Sequence, residues 1–176
     1  MSLPHAILTS LAERPGSGSE LARRFDRSIG HFWQATHQQI YRELARLEAS
    51  AWVEATAVEG APGRKRRYRI LPAGRQELER WTGAALAPPA IRDELMVRLR
   101  AAGEVDPGDL THELDRLLNH HRAQLATYEA VRERDFPHPP ASRTGLLQLL
   151  VLDEGIAFER QRIAFCEAAL ALLRNP

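Results

Sequence analysis

Thr36-His37-Gln38-Gln39-Ile40-Tyr41-Arg42-Glu43-Leu44-Ala45-Arg46-Leu47-Glu48-Ala49 reads as an amphipathic helix with its own start signal. Thr36 and Gln39 have the spacing of a capping box, in which each side chain satisfies the other's backbone N–H. Ile40, Leu44 and Leu47 then form one apolar stripe that carries the helix to about Ala49. At about 100° per residue the opposite face shows Gln38, Arg42, Ala45, Arg46 and Ala49. That face is polar, basic and narrow. Long side chains near its amino end and small alanines beyond suit a helix that sinks into a DNA major groove roughly 12 Å wide, where Gln pairs with adenine and Arg with guanine. His37 and Gln39 flank the face, within reach of bases or phosphates.

Working outward, Leu3 to Leu11 carries apolar residues at helical spacing until Pro15-Gly16 breaks it. Ser17 or Ser19 caps a second helix, Glu20 to Ser28, with Leu21 and Phe25 on one face and Arg23, Arg24 and Arg27 largely on another; it ends near Gly30. After the third helix, residues 52–58 and 67–71 read as short strands around the turn-rich, basic segment 59–65. Arg64, Lys65, Arg66 and Arg67 are four consecutive cations expected on that loop, a run that gains most by releasing counterions beside phosphates. Pro72 suits the first turn of a fourth helix, Ala73 to Trp81. Three helices followed by a hairpin with a basic tip are the layout of a winged helix-turn-helix, expected over residues 1–86.

Two proline clusters, Ala87-Pro88-Pro89 and Phe136-Pro137-His138-Pro139-Pro140, interrupt helical geometry. The second part, residues 90–176, is helical almost throughout. From Asp109, Leu110, Leu114, Leu117, Leu118, Leu125 and Tyr128 recur at helical spacing, and Leu146 to Leu173 is apolar on more than one face. So small a chain offers little to bury such a helix against, so partner helices from a second copy are its expected cover, making a homodimer. The fold class is therefore mainly α with a small β-wing: a winged helix-turn-helix domain followed by an α-helical dimerisation domain. Residues 1–81 hold 13 Lys/Arg against 9 Asp/Glu and residues 82–176 hold 11 against 14, so the front half carries the positive charge a polyanion would meet.

Several function classes are set aside. One cysteine, Cys166, permits neither an intramolecular disulfide nor a cysteine-built zinc site, and its apolar neighbours point to an inert buried thiol. Met1 to His5 lacks a basic leader, and nowhere do about eighteen apolar residues run together, so a cytoplasmic protein with no membrane partner is expected. His112, His120 and His121 share a helix, but His112 and His120 are about 12 Å apart by helical rise, too far for one ion without another chain. No glycine loop for phosphates and no nucleophile motif occurs, so neither an enzyme nor a cofactor is expected. Trp33, Trp52 and Trp81 read as packing residues, with Trp81 placed to consider for a pocket between domains.

Phe32 to Leu44, then Leu47-Glu48 and Trp52-Val53, then Arg64-Lys65 to Tyr68 and Leu71-Pro72-Ala73-Gly74-Arg75, resemble the PadR family of transcriptional regulators over roughly residues 5–82. The C-terminal part is similar in size and helicity to the subgroup containing virulence-gene activators. The resemblance implies a winged-helix dimer that represses or activates neighbouring genes and often responds to small aromatic or multidrug-like molecules. It puts Gln39 and Tyr41 at the start of the recognition helix, with the Tyr41 hydroxyl as a phosphate donor, and Lys65 on the wing. Arg42 stands where the family commonly has proline, Leu71 where a capping threonine is common, Ala51 where glycine usually follows the third helix, and Ser19 where an aromatic is frequent. Leu71 should weaken the start of the fourth helix by about 1 kcal/mol, and Ala51 deprives the turn of its easiest left-handed residue.

The reading that follows is a sequence-specific regulator of double-stranded DNA, a repressor, dimeric on a palindromic operator and released by a small effector. Its candidate DNA contacts are Thr36, His37, Gln38, Gln39, Tyr41, Arg42, Arg46, Arg64, Lys65, Arg66 and Arg67. Two rivals stand beside it: a dimeric small-molecule-binding or adaptor protein that keeps the winged fold without DNA, and an RNA-binding winged helix, disfavoured because A-form grooves suit such a face poorly.

Overall fold

The computed structural model describes residues 3–27, 35–58, 66–87 and 92–174. The chain divides into two compact units, Met1–Pro88 and Pro89–Pro176. In the first, α1 (Leu3–Glu13), β1 (Gly16–Ser17), α2 (Gly18–Arg27), α3 (His37–Ala49), β2 (Val53–Ala57), β3 (Arg66–Ile70) and α4 (Pro72–Thr82) follow in order. The second contains α5 (Glu94–Ala101), α6 (Leu110–Asp135) and α7 (Arg143–Arg174).

The core of the first unit is built from the stripes the periodicity marks out. Ile7, Leu8 and Leu11 of α1, Leu21 and Phe25 of α2, and Ile40, Leu44 and Leu47 of α3 are all essentially buried, closed off by Val53, Tyr68 and Ile70 of the sheet. Each such side chain contributes about 2 kcal/mol on burial, so the three from α3 dominate its docking. Helix α2 begins at Gly18, two residues earlier than the apolar spacing indicates. Ser17 is the residue that caps it: its hydroxyl accepts from the Glu20 N–H at 3.3 Å, and its own N–H donates to Glu20 Oε2 at 2.8 Å. The end of α2 expected near Gly30 falls outside the described residues.

The sheet holds one strand more than the hairpin. Gly16 and Ser17 pair antiparallel with Tyr68 and Arg67, so β3 lies centrally in the order β1-β3-β2. Across the hairpin Val53 faces Ile70 and Ala57 faces Arg66. The turn from α3 into β2 closes as a Schellman motif: the Ala51 N–H donates to the Glu48 carbonyl at 2.9 Å and the Trp52 N–H to the Leu47 carbonyl at 3.0 Å. Ala51 takes the left-handed conformation this needs, φ 54°. Leu71 precedes α4 with no side-chain cap bond, and Pro72 occupies its first turn. Gly74 sits so close to the Trp52 carbonyl that a Cβ there would lie 2.3 Å from the oxygen. The small residue at this point lets α4 lie against the start of the hairpin.

In the second unit α6 and α7 form an antiparallel hairpin. Leu114, Leu118, Cys166, Ala169 and Leu170 make its core with Leu95 of α5. Four exposed ion pairs tie the two helices: Arg122–Glu167, Arg132–Asp153, Arg160–Glu129 and Arg174–Asp115. Each contributes at most about 1 kcal/mol in water, so they set register more than stability. A buried pair, His121 Nδ1 to Glu159 Oε2 at 2.6 Å, links the helices inside. Cys166 is fully buried, and desolvation pushes its thiol above the ordinary value, which makes the reactive thiolate scarce. Leu146, Leu147, Leu150, Val151 and Phe158 of α7 are about half exposed or more, an apolar surface left open on the single chain. No helix among the described residues is long and apolar enough to cross a membrane.

Candidate nucleic-acid interface

Helix α3 starts as its first residues dictate. The Thr36 N–H donates to Gln39 Oε1 at 2.8 Å, and the Gln39 N–H donates to Thr36 Oγ1 at 3.2 Å. This capping box has a consequence for the two residues that form it. Thr36 Oγ1 and Gln39 Oε1 are occupied by the helix start, which leaves the Gln39 amide nitrogen as its remaining hydrogen-bonding group. His37, Gln38, Tyr41, Arg42, Ala45, Arg46 and Ala49 are exposed, opposite the buried Ile40, Leu44 and Leu47. The polar face expected from the helical period is therefore present on one continuous surface.

Two of its residues are held by groups whose role the spacing does not reveal. Arg46, with a side chain 74% exposed, is bonded through Nη1 at 3.1 Å to Oε2 of Glu43, whose side chain is only 11% exposed. A nearly buried carboxylate thus orients an exposed guanidinium and leaves its other N–H groups directed elsewhere. Tyr41 leans on the first residue of α2: a Cβ on Gly18 would fall 2.3 Å from Tyr41 Cε1.

The cationic run does not form a single loop patch. Arg66 and Arg67 belong to β3, where the pleat sends them to opposite faces, rather than to the turn. Arg66 is doubly bonded to Glu48 near the end of α3, with Nη1 to Oε2 at 2.9 Å and Nη2 to Oε1 closer still. That pair pushes the Arg66 guanidinium above its ordinary value and offsets its charge. Arg66 thereby clips the loop end of β3 to α3. Arg67 is exposed, and Arg69 pairs across the strands with Glu54. Arg64 and Lys65 lie outside the described residues, as does Trp33.

Arg24, read from spacing as one of three cations on a shared face of α2, is structural: its Nη1 donates to the carbonyls of Ser10 at 2.9 Å and Arg14 at 2.7 Å and closes the end of α1. Trp52 packs half-buried against the core. Trp81 lies parallel to the ring of His5 with centroids 4.4 Å apart, and His5 Nε2 is 3.0 Å from Glu77 Oε1. Glu77 also accepts two bonds from Arg80, each 2.7 Å, and these with His5 hold its carboxyl down to about 2. Glu43, Glu48 and Gly18 are the residues that sequence reasoning missed. Only Glu43 carried a local signal, its place three residues before Arg46.

The transcriptional regulator PadR-like family matches residues 7–80, and the virulence activator alpha C-terminal family matches residues 91–174. A probable transcriptional regulator of Mycobacterium tuberculosis is 43% identical over 189 residues, covering 99% of each chain. This chain belongs to the PadR-like family of transcriptional regulators. Among solved structures, the virulence activator AphA of Vibrio cholerae is similar with a TM-score of 0.82 at 30% identity, covering 98% of each chain. The Bacillus subtilis regulator PadR, a negative transcriptional regulator 26% identical over 97% of each chain, has the same fold. Its structure with operator DNA gives a TM-score of 0.82 at 24% identity over 98% of this chain and 99% of that one. Its structure with p-coumaric acid gives 0.79 at 24% identity over 99% of this chain and 100% of that one. The winged-helix fold with C-terminal helices is thus that of PadR-like regulators along the whole chain, and the family's role is control of transcription.

Proposed function

We propose that this PadR-like regulator is a sequence-specific, duplex-DNA-binding repressor that works in the cytoplasm as a homodimer, without catalytic activity. The observation that carries the reading is the exposed face of α3. Gln38, Arg42 and Arg46 project from it, the capping box fixes its start, and the Arg66–Glu48 clip ties its end to the wing. A helix held at both ends and presenting donors beside small alanines is what a major groove accepts. Residues 1–86 form the DNA-binding part. Within it His37, Gln38, Arg42 and Arg46 read or approach bases, Tyr41 and the Gln39 amide meet the backbone, and Arg64, Lys65 and Arg67 supply phosphate contacts from the wing. Thr36 and Arg66 serve the interface by setting its geometry.

Residues 90–176 form the dimerisation and effector part. The open apolar surface of α7, with Leu147, Leu150 and Phe158, supports a second copy as its cover. A twofold dimer sets two α3 helices about 34 to 36 Å apart, one turn of a palindromic operator. A small aromatic effector that favours a different spacing weakens binding by its differential affinity for the two arrangements. The structure of Bacillus subtilis PadR with p-coumaric acid motivates that class of ligand.

The test is fluorescence anisotropy of the full chain with a duplex from its own promoter region and with a random duplex, across a salt series. Own-promoter DNA is expected to bind about a thousandfold tighter, with log affinity falling linearly in log salt. Arg42→Ala should weaken the specific duplex by tenfold or more, about 1.4 kcal/mol. Equal, weak binding of both duplexes, unchanged by Arg42→Ala, would overturn the proposal.

A further inference from the structure

Gly18 is the first residue of α2, a place where helix formation alone favours almost any side chain over glycine. Its φ does not lie in the left-handed region, so the backbone does not require glycine there. What requires it is room. A Cβ on Gly18 would stand 2.3 Å from Cε1 and 3.0 Å from both Cδ1 and Cζ of Tyr41, far inside the roughly 3.5 to 4.0 Å at which carbons rest. Neither backbone yields readily. The Ser17–Glu20 capping box holds the start of α2, and Ser17 is paired in register with Arg67 of the central strand. Ile40 and Leu44, flanking Tyr41 on α3, are fully buried. Any side chain at position 18 must therefore push the Tyr41 ring outward.

Tyr41 is 47% exposed, and an exposed tyrosine on a helix ordinarily samples more than one rotamer. Here the Cδ1–Cε1–Cζ edge of the ring lies against Gly18 at the head of α2, a contact that favours one placement of the phenol beside the candidate DNA face. Ordering it in advance removes a cost that binding would otherwise meet.

We infer that Gly18 is a positioning residue for DNA recognition: by leaving its Cβ position empty it seats the Tyr41 ring on α2 and joins α2 and α3 into one rigid docking surface. This rests on the DNA-binding reading of α3. Gly18 contacts no DNA in this account; it acts through Tyr41.

The test is a set of double-mutant cycles in the full-length protein, read by anisotropy with the own-promoter duplex and by tryptophan-monitored denaturation. Gly18→Ala and Tyr41→Phe are each expected to weaken binding about tenfold, the loss of one hydrogen bond to a charged group. Gly18→Ala added to Tyr41→Phe should cost little more, because the hydroxyl it misplaces is already gone. In the Tyr41→Ala background, where no ring remains to be displaced, Gly18→Ala should leave affinity unchanged and should raise rather than lower the midpoint, by the helix preference for alanine over glycine, and this arm holds even if Gly18→Ala alone folds poorly. Full-strength binding by Gly18→Ala, additive losses in the phenylalanine cycle, or a further loss in the alanine background would each overturn the role of Gly18 while wild-type DNA binding stood. A wild type that ignores its own promoter would overturn the DNA reading and this inference with it.

Discussion

Ala51→Gly should stabilise the winged unit. Ala51 sits at φ 54° just past α3, in the position from which the Schellman bonds of Ala51 and Trp52 are made. A left-handed conformation costs an L-residue about 1 to 2 kcal/mol, which glycine escapes. Glycine returns about 0.5 to 1 kcal/mol of that through the extra freedom of its unfolded chain. Ala51 is exposed, so no packing is lost with its methyl group. The net gain expected is about 0.5 to 1 kcal/mol, or roughly 2 to 6 °C in Tm for a unit of this size. The assay is selective by composition: all three tryptophans, Trp33, Trp52 and Trp81, lie within residues 1–88. Tryptophan fluorescence in a denaturant titration therefore follows this unit alone. The midpoint should rise with an unchanged slope, and Ala51→Val should lower it, because a β-branched residue tolerates positive φ worst. A midpoint that stays or falls for glycine would refute the reasoning, since strain at Ala51 would then not be what the turn bears.

Two further outcomes follow from the same geometry. Glu77 is held at about 2 against an ordinary 4.5 by Arg80 first and His5 second. Its folded value is depressed, so the stability it contributes is present above about 4.5 and is lost as pH falls toward 2. Glu77→Gln should flatten the dependence of the tryptophan-monitored midpoint on pH across that window, and an unaltered slope would remove Glu77 from the acid response. Leu150, 64% exposed on α7, is the other target. On the proposed α7 interface the wild type should sediment as a dimer and Leu150→Glu as a monomer while circular dichroism keeps its helical signal; a monomeric wild type would overturn the dimer, and a variant that stays dimeric would place the contact elsewhere.

Much of the candidate interface was legible from neighbours in the chain. The Thr36–Gln39 box, the Ile40–Leu44–Leu47 stripe, the place of the hairpin and Pro72 at the head of α4 each depend on groups close together in the chain, whereas the left-handed demand on Ala51 came from the family resemblance. The first four signals survive in one dimension because the interaction they report is itself local. The start of α2 was misjudged for the complementary reason: Ser17 and Ser19 offer the same cap chemistry, and the choice of Ser17 coincides with its pairing to Arg67, a strand contact fifty positions away.

Amino-acid order alone was enough for the type and sequence of elements and for which face of α3 is polar, since helical period and capping chemistry act over one or two turns. Folding in three dimensions was needed to assign the cations their jobs. Arg24, Arg46, Arg66 and Arg69 look alike in the sequence, yet one closes α1, one is aimed by Glu43, one clips the wing to α3 and one bridges two strands. An arginine's role is set by which carboxylate or carbonyl the packing brings within about 3 Å, and for Arg24, Arg66 and Arg69 the partners are ten or more residues distant along the chain. The space at Gly18 that Tyr41 fills was hidden for the same reason: steric room between two helices exists only once both are docked on one core.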